Sequence, residues 1–290
     1  SLAGQGRAVM ALVRRTSVDL PPGVIPRIAA PIEALDGAGW RQALDGIDTV
    51  VHLAAIAHIG PGVAAGQYDA VNHRAVAALA DAAGVADVRR VVFLSSIRAQ
   101  CGASSDRIET ETSTEQPTDA YGIAKLAGER ALAASGVAHV ILRPVLIVGE
   151  EPKGNLALLA RLARSGLPLP LAGIGARRSM VSLADVVAAI EQAIEDDAML
   201  GGRFILADAE ALSVAETVAA LRRGLGMSPR LFSIPEALLA LPFRLIGRDD
   251  IWQRIGGPLV ARPEGLMRIG FTPRRSVRAA LEAMIRSPAR

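Results

Sequence analysis

Residues 91–96 read Val91-Val92-Phe93-Leu94-Ser95-Ser96, an apolar run that ends in two hydroxyl side chains. A short, continuously apolar run is typical of a strand that is buried on both faces of a parallel sheet. Ligands of open parallel sheets bind outside the carboxyl ends of the strands. The stretch therefore predicts a central strand, and it places Ser95 and Ser96 where a ligand would bind.

The pattern around this stretch repeats along most of the chain. From Ala8 to Ala207, short β-branched runs alternate with turns and with segments rich in Ala, Leu and Arg at helical spacing, which is the signature of βαβ units. The predicted strands are Ala8–Val13, Thr49–Leu53, Val91–Ser95, His139–Leu142 and Arg203–Leu206, and the predicted helices are Ala70–Ala83, Tyr121–Ser135 and Leu183–Asp196. We therefore predict an α/β fold with a doubly wound parallel sheet.

The rhythm changes after Gly149. Pro- and Gly-rich connections around shorter helices follow, for example Leu167-Pro168-Leu169-Pro170-Leu171. We expect one domain over residues 1–149 and a smaller, mainly helical C-terminal lobe over residues 150–290. Because residues 203–206 again resemble a buried strand, residues 179–207 are expected to return to the first sheet.

The composition narrows the class of protein. The chain has 290 residues, of which 51% are hydrophobic, and its formal net charge of +3 is spread without basic runs, so no nucleic-acid partner is expected. The absence of a long apolar segment predicts no membrane partner, and the single cysteine, Cys101, fits a reducing compartment, so we predict a cytoplasmic protein. The histidines lack metal-ligand spacing, so no metal is expected; they are His52, His58, His73 and His139.

The segment Tyr121-Gly122-Ile123-Ala124-Lys125 pairs a tyrosine with a lysine in a chain that contains only two of each. A spacing of i to i+4 places both side chains on one helix face. There an ammonium group can favour the phenolate and lower a tyrosine pKa that starts near about 10, which suits a general acid or base. The same spacing also fits a surface contact on an amphipathic helix.

Ser96 precedes this pair in the sequence and ends the predicted central strand. Its hydroxyl can bind the reacting oxygen while Tyr121 takes the proton, and the same hydrogen bond would stabilise an oxyanion in the reverse direction. The alternative is that Ser95 and Ser96 only cap the next turn.

Ser96 with Tyr121-x-x-x-Lys125 resembles the catalytic triad of the extended short-chain dehydrogenases/reductases, the family of NAD-dependent epimerases and dehydratases. The resemblance covers nearly the whole chain. It implies a Rossmann domain over residues 1–149 that binds a dinucleotide, and a substrate-binding lobe over most of residues 150–290. It also implies that Ser96, Tyr121 and Lys125 are catalytic.

Further segments carry the same resemblance. Residues 50–55 (VVHLAA) are similar to the family's strand and turn that lie along the cofactor. Asn72 is similar to the asparagine that opens the family's next helix. The segment Leu142-Arg143-Pro144, with Gly149, is similar to the turn beside the nicotinamide. The implied cofactor-binding residues are Leu53, Ala54, Ala55, Asn72, Ser95, Tyr121, Lys125 and Pro144. For the substrate, the resemblance implies that Ser96 binds the sugar, Asn155 meets the phosphates and Arg178 clamps them.

The first strand leaves the type of cofactor open. A carboxylate at its end would hold the ribose of NAD, whereas an arginine can pair with the extra phosphate of NADP. Arg14 and Arg15 stand there, so they join the candidate cofactor-binding residues and slightly favour NADP over NAD. Gly4-Gln5-Gly6 directly precedes a strand and no helix opens after it, so we interpret it as a connecting turn. The glycine-rich turn of the fold is expected upstream of this sequence, with about 20 residues missing, because a whole βαβ unit needs about 30.

The resemblance leaves the reaction open as well. Sugar 4,6-dehydratases carry an Asp-Glu pair after the strand-end hydroxyl, and this chain has Ile97-Arg98, which argues against dehydration. Epimerisation at carbon 4 of a nucleotide-linked sugar, expected to be a UDP-sugar, and reduction of a 4-keto sugar remain. Residues 167–171, residues 178–182 and the Ser96-Ile97-Arg98 turn resemble the nucleotide-hexulose 4-reductases more than the galactose epimerases. A catalytically silent cofactor-sensing regulator and a reductase of an apolar small molecule are the other hypotheses. Family members are often dimers, which leaves a homodimer open.

Overall fold

The structure, a computed structural model, describes residues 2–15, 19–57, 63–245 and 256–286. The chain divides into two compact units. The first comprises Ser1–Gln100, Glu115–Arg143 and Ala189–Phe204, and the second comprises Cys101–Thr114, Pro144–Ala188 and Ile205–Arg290. That the units serve as a dinucleotide-binding domain and a substrate-binding lobe stays a prediction.

The secondary structure alternates between strands and helices. The strands are β1 (Val9–Val13), β2 (Val24–Ile28), β3 (Thr49–His52), β4 (Arg90–Leu94), β5 (Ile108–Glu109), β6 (His139–Pro144), β7 (Leu146–Val148), β8 (Arg177–Arg178), β9 (Met180–Ser182), β10 (Arg203–Leu206), β11 (Leu212–Ser213) and β12 (Val260–Ala261). The α-helices are α1 (Gly37–Leu44), α2 (Ala65–Asp69), α3 (Ala75–Val85), α4 (Ala120–Ala134), α5 (Gly154–Arg164), α6 (Leu183–Glu195), α7 (Val214–Gly224), α8 (Glu236–Leu245), α9 (Glu264–Arg268) and α10 (Val277–Arg286). A π-helical turn at Ala70–Arg74 joins α2 to α3, and 3-10 turns lie at Ala3–Gln5, Ile32–Ala34, Ile97–Ala99 and Asp197–Met199.

The central sheet has the strand order β10-β6-β4-β3. The strand β4 runs parallel to both β3 and β6, with Val92 opposite Val51 on one side and Val140 on the other. Val92 and Phe93 are fully buried, as expected for a strand with neighbours on both edges and helices over both faces. The parallel pairing confirms the predicted fold class, and β1 forms a separate parallel pair with β2.

Helix α4 lies unusually close to two backbone segments of the first unit. A Cβ atom at Gly122 would lie 2.2 Å from the carbonyl oxygen of Arg98, and one at Gly128 would lie 2.4 Å from the carbonyl oxygen of Asn72. The side chain of Asp119 caps the helix by accepting a hydrogen bond from the Gly122 N–H group at 2.8 Å. These contacts fix the start of α4 beside the turn that follows β4.

The second unit has a core of its own. Helices α5, α7 and α10 pack together through buried aliphatic side chains that include Leu156, Leu221 and Leu281. Three short strand pairs accompany them: β7 with β9, β8 with β11, and β5 with β12. No helix in the described ranges is long and apolar enough to cross a bilayer.

Candidate active site

The carboxyl end of β4 carries the first group of the site. Ser96 follows the strand, is 9% exposed, and accepts a hydrogen bond from the Arg98 N–H group at 3.2 Å. Its side chain also bonds to that of Tyr121. The hydroxyl therefore caps the 3-10 turn and bonds Tyr121 at the same time. That Ser96 binds the reacting oxygen stays a prediction.

Tyr121 is the second residue of α4 and is 8% exposed. Burial raises the pKa of its phenol above the usual value, while the hydrogen bond from Ser96 and the charge of Arg98 lower that pKa by less. The expected lowering of the Tyr121 pKa by Lys125 is therefore corrected: in the protein alone the pKa is raised, because burial penalises the phenolate more than the Ser96 hydrogen bond and the Arg98 charge favour it.

Lys125 lies one helical turn after Tyr121 and is 1% exposed. Its Nζ donates to the Leu94 carbonyl oxygen at 2.9 Å and lies 4.7 Å from the centroid of the Phe93 ring. Burial lowers the pKa of Lys125 to about 8, against the raising effect of Glu129. The lysine therefore stays mainly protonated at neutral pH, over an aromatic face that suits a cation.

Arg98 is a charged residue beside the tyrosine whose role the sequence did not predict. Its guanidinium forms an ion pair with Asp119, the residue that caps α4. The positive charge lowers the Tyr121 pKa, as described above. The sequence carried one signal for it, since Arg98 occupies the turn directly after Ser96.

Four of the predicted cofactor-binding side chains are engaged within the protein: Tyr121 and Lys125, described above, and Asn72 and Ser95. Asn72 is fully buried, and its side chain makes two hydrogen bonds of 3.0 Å with the backbone of Ile56. It lies inside the π-helical turn and holds the loop after β3, so it does not open a helix as the resemblance implied. The hydroxyl of Ser95 donates to Glu129.

The other predicted cofactor-binding residues lie at strand ends. Leu53 and Ala54 are exposed at the carboxyl end of β3, and Ala55 follows them half-buried. Arg14 and Arg15 are exposed directly after β1. Pro144, the last residue of β6, is buried and belongs to the second unit.

The predicted substrate ligands Asn155 and Arg178 belong to the second unit, whereas Ser96, Tyr121 and Lys125 belong to the first. Asn155 is the second residue of α5 and is half-buried. Arg178 donates to the carbonyl oxygens of Gly257 at 2.6 Å and Ala103 at 3.0 Å.

Among the residues that the structure describes, no group of three or more His, Cys, Asp or Glu side chains could hold a metal ion. His58 lies outside the described residues.

The sequence model of the NAD dependent epimerase/dehydratase family matches residues 1–206. The chain belongs to this family. The chain is 32% identical over 229 residues to a UDP-glucose 4-epimerase of Vibrio cholerae. The match covers 76% of this chain and 70% of that protein.

Two solved structures also resemble this family member. MoeE5 in complex with UDP-glucose and NAD has a TM-score of 0.74 at 25% identity, over 98% of this chain and 91% of its own. The UDP-glucuronic acid 4-epimerase from Bacillus cereus in complex with NAD shares the fold, with a TM-score of 0.71 at 18% identity over 92% of this chain and 81% of its own. These likenesses confirm the predicted Rossmann fold and the resemblance to the extended short-chain dehydrogenases/reductases.

Proposed function

We propose that the protein catalyses NAD-dependent epimerisation at carbon 4 of a UDP-linked hexose. The observation that carries this proposal is the joint placement of Ser96, Tyr121 and Lys125 at the carboxyl end of β4, where the hydroxyl, the phenol and the ammonium group lie within one water-poor region. The likeness to a UDP-glucose 4-epimerase and to a structure holding UDP-glucose and NAD supports the choice of substrate class.

The side chains divide the proton chemistry among them. Tyr121 takes the proton of the sugar 4-hydroxyl, Ser96 bonds the same oxygen, and the charge of Lys125 favours the phenolate that accepts the proton. NAD, when bound, would supply the acceptor for the hydride of carbon 4 and the donor of the hydride that the keto sugar takes back on its opposite face. Tyr121 then gives its proton back to the oxygen, so the protein ends each turnover in its starting state.

The residues at the strand ends fit such a cofactor. Leu53 is 54% exposed at the carboxyl end of β3, next to the exposed Ala54, which leaves an apolar strip where ligands of parallel sheets bind. Leu53, Ala54 and Ala55 would line the dinucleotide, and Asn72 would hold their loop in place. The preference for NADP predicted from Arg14 and Arg15 remains a prediction, and NAD is proposed because relatives are described with it.

For the substrate, we propose that Arg178 and Asn155 bind the diphosphate of UDP. A guanidinium group can make paired, charge-assisted hydrogen bonds to phosphate oxygens. Arg178 donates from Nη1 and Nη2 to the backbone carbonyl oxygens of Gly257 and Ala103, and these bonds fix the guanidinium group that we propose meets the phosphates.

The two tyrosines provide a matched test of this proposal. Tyr121→Phe removes the proposed acid/base and should lower kcat for conversion of UDP-glucose to UDP-galactose by about 100-fold or more. Tyr68→Phe removes the hydroxyl of the neighbouring tyrosine, and the centroids of the two rings lie 6.1 Å apart. This variant should keep most of the activity. Equal activity of the two variants would contradict the proposed role.

The bound nicotinamide separates the proposal from its alternatives. An epimerase regenerates its cofactor in each turnover, so the purified protein should release NAD on denaturation, as mass spectrometry can show. A protein that is empty and consumes NADPH with a UDP-4-keto sugar would be the reductase instead. Binding of cofactor without turnover of either sugar would favour the regulator or the reductase of an apolar molecule.

A further inference from the structure

We propose that Glu129 is a positioning residue whose fixed carboxylate, one turn along α4 from Lys125, keeps that lysine in its charged form. This proposal rests on the proposed function in one respect: the proposed function gives the Lys125 charge its use in catalysis. Glu129 is buried, and in this proposal it acts through Lys125.

The location of Glu129 is unusual for an acidic residue. It is 1% exposed, as is Lys125, and both side chains lie on the same face of α4 because they are four residues apart. A buried carboxylate is costly unless hydrogen bonds and an opposite charge compensate it. Its partners should therefore show why the protein tolerates it there.

Arg143 and Ser95 hold the Glu129 carboxylate from two strands. The Arg143 Nε donates to both carboxylate oxygens, at 3.0 and 3.2 Å, and Nη2 donates to Oε2 at 2.5 Å. The Ser95 hydroxyl, at the end of β4, donates to Oε1. This paired, charge-assisted geometry fixes the position of the Glu129 carboxylate.

Arg143 is shared between the two carboxylates of this cluster. The same guanidinium also donates to Glu115 at 2.5 Å and to Gln100 at 2.8 Å, so two carboxylates share one buried cation. The further partners of Glu115 are Arg130 and Arg203, whose side chains are 68% and 46% exposed, so solvent screens their charges. Within this cluster it is the charge of Glu129 that acts on Lys125, since the two residues lie one helical turn apart on α4.

Among the described residues, the other groups that contact Lys125 or interact with its charge do not supply a negative charge. His52, at the end of β3, has its pKa lowered to about 4 and is neutral at pH 7. Burial raises the pKa of Tyr121, so its phenol is neutral as well. Phe93 offers only its ring face. Glu129 is thus the carboxylate that opposes the loss of the Lys125 proton, in agreement with its raising effect on the Lys125 pKa.

The chain offers a direct measurement, because it contains only two lysines, Lys125 and Lys153. Protein grown with isotope-labelled lysine gives two side-chain signals by NMR, and Lys153→Arg assigns them. We expect the titration midpoint of Lys125 to fall by about one pH unit or more in Glu129→Gln, since loss of a neighbouring opposite charge in a buried region shifts a pKa by about that much. Gln keeps an acceptor for Ser95 and Arg143.

Glu115→Gln is the matched control. Glu115 also bonds Arg143 but does not raise the Lys125 pKa, so this variant should leave the midpoint near that of the wild type, at about 8. A Lys125 midpoint unchanged by Glu129→Gln, or lowered equally by Glu115→Gln, would overturn the proposal. If Glu129→Gln does not fold, the double variant Glu129→Met with Arg143→Met replaces the buried pair by apolar groups, and its Lys125 midpoint must fall too.

The pH profile of activity separates positioning from a purely structural role. Loss of the Lys125 proton at lower pH should shift the alkaline limb of kcat/KM in Glu129→Gln to lower pH by the same amount, and Glu129→Asp should restore part of the shift. A merely structural defect would lower the rate equally at every pH. A wild-type protein that turns over no UDP-sugar would refute the proposed function and leave the NMR result to decide on Glu129.

Discussion

His52 shows at the level of one residue how burial decides a charge state. The imidazole is 6% exposed, and burial, followed by the charge of Lys125, lowers its pKa from 6.5 to about 4. Between these two values the unfolded chain binds a proton that the folded protein does not, so the free energy of unfolding decreases as the pH falls through this window. We expect a loss of about 3 kcal/mol, measured by urea unfolding at each pH.

The variant His52→Gln provides the reference for this experiment, since it has no imidazole at that position. Its stability should fall less on acidification, and the wild-type protein should lose about 3 kcal/mol relative to it by the acid end of the window. Parallel stability curves for the two proteins would show that the folded state protonates His52 as easily as the unfolded chain does.

Single residues of the site differ in how far the sequence predicts them. Tyr121 and Lys125 stand out because helical spacing is a local property. The direction of the Tyr121 pKa does not follow from spacing, because it depends on how deeply α4 packs against the turn after β4. The sequence did not predict roles for Glu129 and Arg98 for the same reason, because the residues with which they pair are distant in sequence.

Helix α4 is the element on which the site depends, and Gly122 tests its placement. Ala is favoured over Gly in a helix by about 1 kcal/mol, but a Cβ atom at Gly122 would lie 2.2 Å from the Arg98 carbonyl oxygen. Gly122→Ala should therefore destabilise the protein by about 1–3 kcal/mol through overpacking, seen as a lower Tm, and should also reduce activity because Tyr121 is displaced.

Gly84→Ala in α3 is the control for this substitution. Its Cβ atom would meet the nearest side-chain atom, Cγ2 of Val137, at 3.5 Å, which is an ordinary van der Waals distance. The variant should keep or slightly raise the Tm, in line with helix propensity. A Gly122→Ala protein as stable as Gly84→Ala would mean that α4 can move away from the turn without cost.

The elements that the sequence did not predict have identifiable causes. The strand β2 contains Pro26, which argues against a strand, and it pairs with β1 alone. Helix α1 starts with Gly37-Ala38-Gly39, which has weak helix propensity, and it is stabilised by the Asp36 cap and by the buried Trp40. Tertiary packing outweighs local preference in both.

At the scale of the whole molecule, cofactor binding should appear as stability. NAD at about 100 times its Kd should raise the free energy of unfolding by about 2.7 kcal/mol, because it binds the folded state only. We expect NAD to raise the Tm more than NADP at equal concentration. A larger effect of NADP, abolished by Arg14→Ala with Arg15→Ala, would instead support the preference predicted from those two arginines.

The sequence by itself determined the alternation of parallel strands and helices, the central strand at residues 91–95, and the Ser96, Tyr121 and Lys125 set, because periodicity and spacing act over a few residues. The tertiary structure decided which of these groups are buried and with what partners. It joined Glu129 of α4 to Arg143 of β6 and to Ser95, and it raised the Tyr121 pKa. Burial and long-range pairing depend on how elements pack, and no local pattern encodes them.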